Sequence, residues 1–400
     1  MEREHREPGP GRPGHRRPEP ALAGVGLLTR VERALTSGTA AYLPGDGWIR
    51  LTLPIEDGGP APLTVDVVAD TARPPHGIAY LLPGGGLNFT ADFFTSGGDG
   101  TLAGHLLRQG LLVVGVTPRE DAAAGADGLP AGLGLAAHRR DLAGVVAALD
   151  SVLGLPYTYA GHSAGAALAL DAASHDTSER LRRVLVLDTT GPYTGEAALR
   201  AAATRDAYEE QLARGVHATD PGLAALVARA VADPSGPSAV PWPPDPSRYF
   251  THAGLAHFAL IRTADLPGPA NWIYRRGHSA GTYAFGTAPA EDRFTLTHTS
   301  LATWHAATAA LGSGLVPTAL MRDLAAVWAD DGKTYRIDWG RIRAEVVWVN
   351  TELGRGDEPY GAELIRAAGN DRVRFSTVPG YGHGDAVWSA TAAADVWSRF

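Results

Sequence analysis

Gly161-His162-Ser163-Ala164-Gly165 is the stretch of this chain best suited to covalent chemistry. Tyr157-Thr158-Tyr159-Ala160 ahead of it has the look of a short strand, and Ala166-Ala167-Leu168-Ala169-Leu170 behind it suits a helix start. A G-x-S-x-G turn between a strand and a helix lifts its serine clear of the sheet, where the hydroxyl can attack an acyl carbon. Gly161 and Gly165 leave room where Cβ atoms would meet the neighbouring backbone. Ser163 is therefore the expected nucleophile. The same five letters recur at Gly277-His278-Ser279-Ala280-Gly281, so context has to separate the copies. The second follows Arg275-Arg276 rather than an apolar run, and it leads into Thr282-Tyr283-Ala284-Phe285-Gly286-Thr287-Ala288-Pro289, which is too rich in breakers to begin a helix. It reads as a Gly/Ser loop in an inserted segment, near the pocket.

A nucleophilic serine needs a base and an electrostatic cradle. His76 to Leu82 reads as a buried strand that ends in Pro83-Gly84-Gly85-Gly86-Leu87-Asn88-Phe89. A glycine run at that point lets backbone N–H groups approach a tetrahedral oxyanion, and the amide after the nucleophile supplies another donor. Gly86, Leu87 and Ala164 are the expected oxyanion donors. Near the C-terminus, Arg372 to Val378 alternates like a last strand and runs into Pro379-Gly380-Tyr381-Gly382-His383-Gly384-Asp385. A histidine on a glycine-flanked loop after the last strand can swing over the sheet edge toward a serine, which singles out His383 among the 14 histidines as general base.

Eight strand-like runs must hold these groups: 48–54, 63–68, 77–82, 111–116, 157–160, 184–187, 345–349 and 373–378. Helical stretches such as Leu102 to Gln109 and His138 to Leu153 fall between them, with apolar spacing suited to packing on a mostly parallel sheet. With the elbow, the glycine loop and the late histidine, this order resembles the α/β-hydrolase fold superfamily, of the serine esterase and lipase-like kind with a large cap insertion. The resemblance implies an α/β protein with an eight-stranded, mostly parallel sheet flanked by helices, and a helical cap between strands six and seven. The core is then expected over 21–190 and 341–400, the cap over 191–340, and a disordered tail over 1–20, whose Arg, Glu, Pro and Gly cannot bury a core. An amphipathic helix from Ala21 to Thr36 packs on the core through Leu27, Leu28, Val31 and Leu35.

In the superfamily the acid that orients the histidine usually follows the seventh strand. Here Glu345-Val346-Val347-Trp348-Val349 continues into Asn350-Thr351-Glu352-Leu353-Gly354-Arg355-Gly356-Asp357. Glu352 stands first, just past the strand tip. Asp188, at the end of the sixth strand, is the second candidate, since some members place the acid there, and Asp357 is the third. The carboxylate must accept from the imidazole Nδ1–H, which favours a held strand end over a mobile loop.

The 400 residues and 44% hydrophobic content allow one large domain with an insertion. A net charge of −8 and no dense basic face argue against a nucleic-acid partner. The chain has no cysteine, so disulfides and thiolate metal sites are excluded. It shows no apolar run of about 18 residues for a membrane span and no apolar signal core near Met1, which leaves the cytoplasm as the default location. Lys333 is the only lysine among 35 basic residues, a bias of base composition rather than chemistry. No Walker loop, no G-x-G-x-x-G after a strand and no H-E-x-x-H is present, so no cofactor and no metal are expected. In the insertion, Trp242, Tyr249, Phe250, Trp272 and Trp304 either line an apolar acyl pocket or form the cap's own small core. The expected activity is serine hydrolysis of a carboxylic ester, thioester or lactone of a fairly apolar small molecule, through an acyl-enzyme. An acyltransferase, or a non-hydrolytic small-molecule-binding protein of the same fold, is the alternative, and self-association is left open.

Overall fold

A computed structural model of the chain describes residues 20–35, 39–95, 97–98 and 100–400. The tail expected to be disordered over 1–20 falls on residues outside these, except for Pro20, where a helix Pro20–Leu35 begins. Leu28 and Val31 of that helix are fully buried, as the amphipathic spacing requires.

Among the described residues nine strands make the central sheet: β1 (Ala41–Pro44), β2 (Trp48–Ile55), β3 (Leu63–Asp70), β4 (Gly77–Leu82), β5 (Leu111–Thr117), β6 (Tyr157–His162), β7 (Leu181–Leu187), β8 (Glu345–Thr351) and β9 (Val373–Val378). Their spatial order is β1-β2-β3-β5-β4-β6-β7-β8-β9. The first four in space pair antiparallel, and β5, β4, β6, β7, β8 and β9 run parallel. Eight of these strands are the eight runs expected from sequence. The ninth, β1, is a four-residue edge strand exposed along its whole length, with no apolar alternation to betray it.

Burial explains the sequence character of the strands. β4 carries Gly-Ile-Ala-Tyr-Leu-Leu and is buried at every position, because helices cover both faces of a parallel interior strand. The helices Leu135–Leu153 and Ala164–His175 pack on one face, burying Leu142, Val145, Leu149, Ala166 and Leu170 with Tyr80 and Val114. On the other face, Leu102, Leu106, Trp397 and Trp388 pack against Ala79, Leu81 and Val113. Because the six parallel strands point the same way, the loops at their C-terminal ends lie along one sheet edge, where open α/β sheets collect chemistry.

The segment between β7 and β8 holds five α-helices, Gly195–Ala213, Leu223–Ala232, His252–Ile261, Leu301–Ala309 and Thr318–Trp328, together with short antiparallel ribbons. Trp242 and Phe250 are buried with Phe258, Ile261 and Tyr283 in a small core of its own. Trp304 is buried against Trp388, Trp272 packs on Tyr193, and Tyr249 is exposed. Of the five aromatics weighed from sequence, the four covered ones pack within the protein.

Candidate active site

The residue after β6 is Ser163, with φ 56° and ψ −118°. Positive φ strains an L-residue, and among the described residues only Ser163, Asp188 and Asp330 outside glycine adopt it. Two glycines make the turn possible. A Cβ on Gly161 would lie 2.1 Å from the Gly165 carbonyl oxygen, and one on Gly165 would lie 2.0 Å from that of Leu82. The Ser163 amide donates to the Leu187 carbonyl at 2.9 Å, and its hydroxyl has no hydrogen bond among the described residues.

Asp188, the residue after β7, also turns through positive φ, at 46°. The turn tucks its side chain into the protein, where it is fully buried. Its Oδ1 accepts from the amides of Thr351 at 2.6 Å and Arg355 at 3.2 Å, and its Oδ2 faces His383 Nδ1 at 2.5 Å. Gly354 is needed for this approach, since a Cβ there would come within 2.1 Å of Oδ2. His383 lies on the loop after β9 and is 4% exposed. The bond to Asp188 assigns the proton to Nδ1 and leaves Nε2 as an acceptor. Burial, with the positive charges of His162 and Arg355 nearby, holds the His383 imidazole well below its ordinary value. Burial pushes the Asp188 carboxyl up, against the opposing pull of the Arg355 charge and the two amides. A neutral imidazole aligned by a carboxylate is the state in which a histidine accepts a proton.

The other two carboxylates weighed from sequence lie elsewhere. Glu352, ranked first there, is exposed and accepts from the Gly380 amide at 2.7 Å, while Asp357 is exposed and faces Thr377 Oγ1 at 3.4 Å. The chain turns directly after β8, so Glu352 points outward and pins the β9 turn instead of reaching His383. It is Asp188 that the structure brings to His383.

Two of the amides in the glycine loop are engaged within the protein. Gly84 N donates to Asp92 Oδ2 at 2.9 Å, and Leu87 N closes a turn onto Gly84 O at 3.0 Å. Leu87, expected as an oxyanion donor, therefore has its N–H already committed. Among the described residues the amides of Gly85, Gly86 and Ala164 have no partner. A Cβ on Gly85 would point at Ala164 Cβ, 3.7 Å away, so this loop lies against the first turn of the helix after the serine. A cavity of about 30 Å³, room for roughly one water, is lined by Gly84, Gly85 and Ala164 together with the buried pair Glu120 and His138.

The second Gly-His-Ser-Ala-Gly has no elbow: Ser279 is absent from the positive-φ residues, is fully buried, and accepts from Trp304 Nε1 at 2.8 Å. The segment instead braces the histidine loop. Gly277 O accepts from His383 N at 3.2 Å, and His278 O accepts from Gly384 N at 2.8 Å. The Ala280 amide donates to Asp385 Oδ2 at 2.7 Å. The His278 ring lies 5.6 Å from that of His383 and 4.7 Å from that of Tyr274. Sequence reasoning missed three further residues at the site. Asp92 joins the glycine loop to His162, the His162 ring lies tilted 4.6 Å from that of His383, and the buried Arg355 guanidinium lies over Tyr274 at 4.4 Å. His162 sits inside the serine pentapeptide, which was a usable signal, but nothing local marks Asp92 or Arg355.

No family model matches the sequence, and no curated protein matches it. Solved structures do. A candidate lipase from Sulfolobus solfataricus superposes with a TM-score of 0.58 at 16% identity, covering 90% of this chain and 97% of its own. A bromoperoxidase from Bacillus anthracis gives a TM-score of 0.46 at 13% identity, covering 86% of this chain and 96% of its own. The chain has the α/β-hydrolase fold. Within that fold, Ser163 stands at the tip of the strand whose two neighbours are β4, leading to the glycine loop, and β7, leading to Asp188. Identities this low show the fold and leave the reaction to be argued from the site.

Proposed function

We propose that the protein is a serine hydrolase that cleaves a carboxylic ester of a small molecule through an acyl-enzyme. The observation that carries this reading is the strained Ser163 turn that directly follows His162, whose ring lies 4.6 Å from that of a buried His383 whose Nδ1 meets Asp188 at 2.5 Å. In the proposed first step Ser163 Oγ attacks the acyl carbon while His383 Nε2 takes its proton. The His383 Nδ1–H donates to Asp188, which favours the imidazolium that forms. The carbonyl oxygen becomes an oxyanion held by the amides of Ala164 and of Gly85 and Gly86, donors that nothing else engages among the described residues. The C–O bond then breaks, the leaving alcohol takes the proton from His383, and water repeats the sequence to release the acid.

Asp188 takes the orienting role in place of Glu352, and Gly85 joins Gly86 in place of Leu87. We assign the 191–340 insertion as a cap, supported by the Gly277–Gly281 segment bonded to the His383 loop and by Val316 packed beside Gly85 and Gly86. Among the described residues no helix is long and apolar enough to cross a membrane, and we take the substrate to be a small, fairly apolar ester met in the cytoplasm.

A fluorophosphonate probe followed by peptide mapping tests the reading. One adduct on Ser163, lost in Ser163→Ala and retained in Ser279→Ala, is the expected result, together with hydrolysis of short p-nitrophenyl esters. Labelling at Ser279, or no labelling of a folded protein, would overturn it.

A further inference from the structure

Asp92 is the one carboxylate among the described residues that touches both the glycine loop and the serine turn. It lies in a short helix, Phe89–Phe93, capped by the Asn88 side chain, and is 1% exposed. Its Oδ2 accepts from Gly84 N at 2.9 Å, and its carboxylate faces His162 Nδ1 at 3.1 and 3.2 Å. His162, likewise 1% exposed, reaches the His383 carbonyl with Nε2 at 3.3 Å, and its ring lies 4.6 Å from the His383 ring. A single buried carboxylate and a single imidazole thus connect the glycine loop, the elbow and the histidine loop.

We propose that Asp92 and His162 are positioning residues of this site, with Asp92 fixing the glycine loop to the elbow and His162 carrying that link to His383. The proposal rests on the serine hydrolase reading. It has a geometric and an electrostatic part. Geometrically, the Gly84 amide anchored by Asp92 sets the register of the next two amides, the free donors of Gly85 and Gly86. A buried carboxylate that accepts both an amide and an imidazole N–H holds that register far better than a solvated loop would.

Electrostatically, burial alone would leave His162 neutral, but the Asp92 charge and hydrogen bond outweigh it and push the imidazole up. The Asp188 charge and the His383 backbone carbonyl act in the same direction. His383 is faced by Asp188 from β7, His162 from the elbow, Arg355 from the loop after β8, and His278 and Tyr274 from the insertion. A cationic His162 one ring away disfavours a second cation on His383 and keeps that base unprotonated. Removing the Asp92 charge lets burial win at His162, takes away the positive neighbour, and raises the pH at which His383 gains its proton.

The test compares wild type with Asp92→Asn, which keeps an oxygen for Gly84 N but removes the charge, and with His162→Gln. The rate of fluorophosphonate labelling at Ser163 is followed from pH 4.5 to 8, and the His383 imidazole is titrated by nitrogen NMR. Two charges about 5 Å apart at an effective dielectric near 20 interact by more than one pH unit. Both variants should therefore show the acid limb moved up by at least about one unit, so that at a pH on the limb of both proteins the labelling rate relative to the plateau is roughly tenfold lower. Asp92→Ala should also lower the plateau at least about a hundredfold, the scale of a lost oxyanion donor.

An acid limb that stays put in both Asp92→Asn and His162→Gln would overturn the electrostatic part. A plateau within about threefold of wild type in a folded Asp92→Ala would overturn the geometric part. If Asp92→Asn fails to fold, His162→Gln carries the same prediction from the other partner. If the wild-type serine does not label, the hydrolase reading falls, and the NMR titration still decides whether the pair controls His383.

Discussion

Asp188 owes its position to one backbone angle. Had the chain left β7 in extended geometry, the carboxylate would have pointed along the sheet instead of under the His383 ring; φ of 46° turns it inward, toward the Thr351 and Arg355 amides. A carboxylate held by two amides has little freedom to rotate away from its imidazole. In Asp188→Asn the amide group presents an N–H or a weaker acceptor to Nδ1, and the histidine adopts the wrong tautomer. Turnover should then fall by up to about 10⁴-fold with the fold retained. Glu352→Gln should cost less than about tenfold, since that side chain only accepts from Gly380 at the surface. Steady-state kinetics on the two purified variants, with circular dichroism as the fold control, gives the comparison. A crippled Glu352→Gln beside a near-normal Asp188→Asn would return the acid to the position after β8.

At the scale of elements, what could be read from sequence was whatever a contiguous segment encodes. Strand β6, the Ser163 turn and the helix Ala164–His175 are adjacent in sequence, so the spacing of apolar and small residues was enough to find them. The His383 loop was legible for the same reason, as glycines after an alternating strand. The acid was not, because Asp188 and Glu352 both end strands with similar sequence character and only the direction of the exit separates them. The donor loop was half legible: Gly86 and Ala164 are free, but the turn that consumes the Leu87 amide depends on how Gly84 folds back. The packing of the elbow predicts its own fragility. Gly165→Ala would drive a methyl into the Leu82 and Pro83 carbonyls, at 2.0 and 2.4 Å, which no rotamer change can relieve. The loop and helix must move apart, at a cost of about 1–3 kcal/mol for an overpacked site. Urea unfolding should show that loss, and Ser163 labelling should slow with it. Wild-type stability in Gly165→Ala would mean the helix start can shift without penalty.

For the molecule as a whole, the insertion is bound to the core through the second Gly-His-Ser-Ala-Gly, and this couples its seating to pH. His278 is enclosed by Tyr274, Trp304 and His383, and burial, with the Arg355 and His162 charges close by, lowers its imidazole to about 3. In the unfolded chain the same ring titrates near 6.5. Above about pH 6.5 both states hold it neutral and it contributes nothing to the pH dependence. As pH falls below that value the unfolded state takes up a proton that the folded state refuses, so the folded state loses stability down to about pH 3. The limiting slope is about 1.4 kcal/mol per pH unit for one such group. His383 adds a slope of the same sign, and His138 and His162, both pushed up by their carboxylate partners despite burial, oppose it. The sum is therefore better read as a difference between proteins. Replacing His278 by Gln removes one proton site while leaving its backbone bond to the His383 loop. Measured by urea unfolding at pH 7 and pH 5, the wild type should lose about 2 kcal/mol more than His278→Gln over that interval. Equal losses would mean that the His278 ring already meets water in the folded protein, and that the insertion is seated less tightly over the histidine loop than the ring packing indicates.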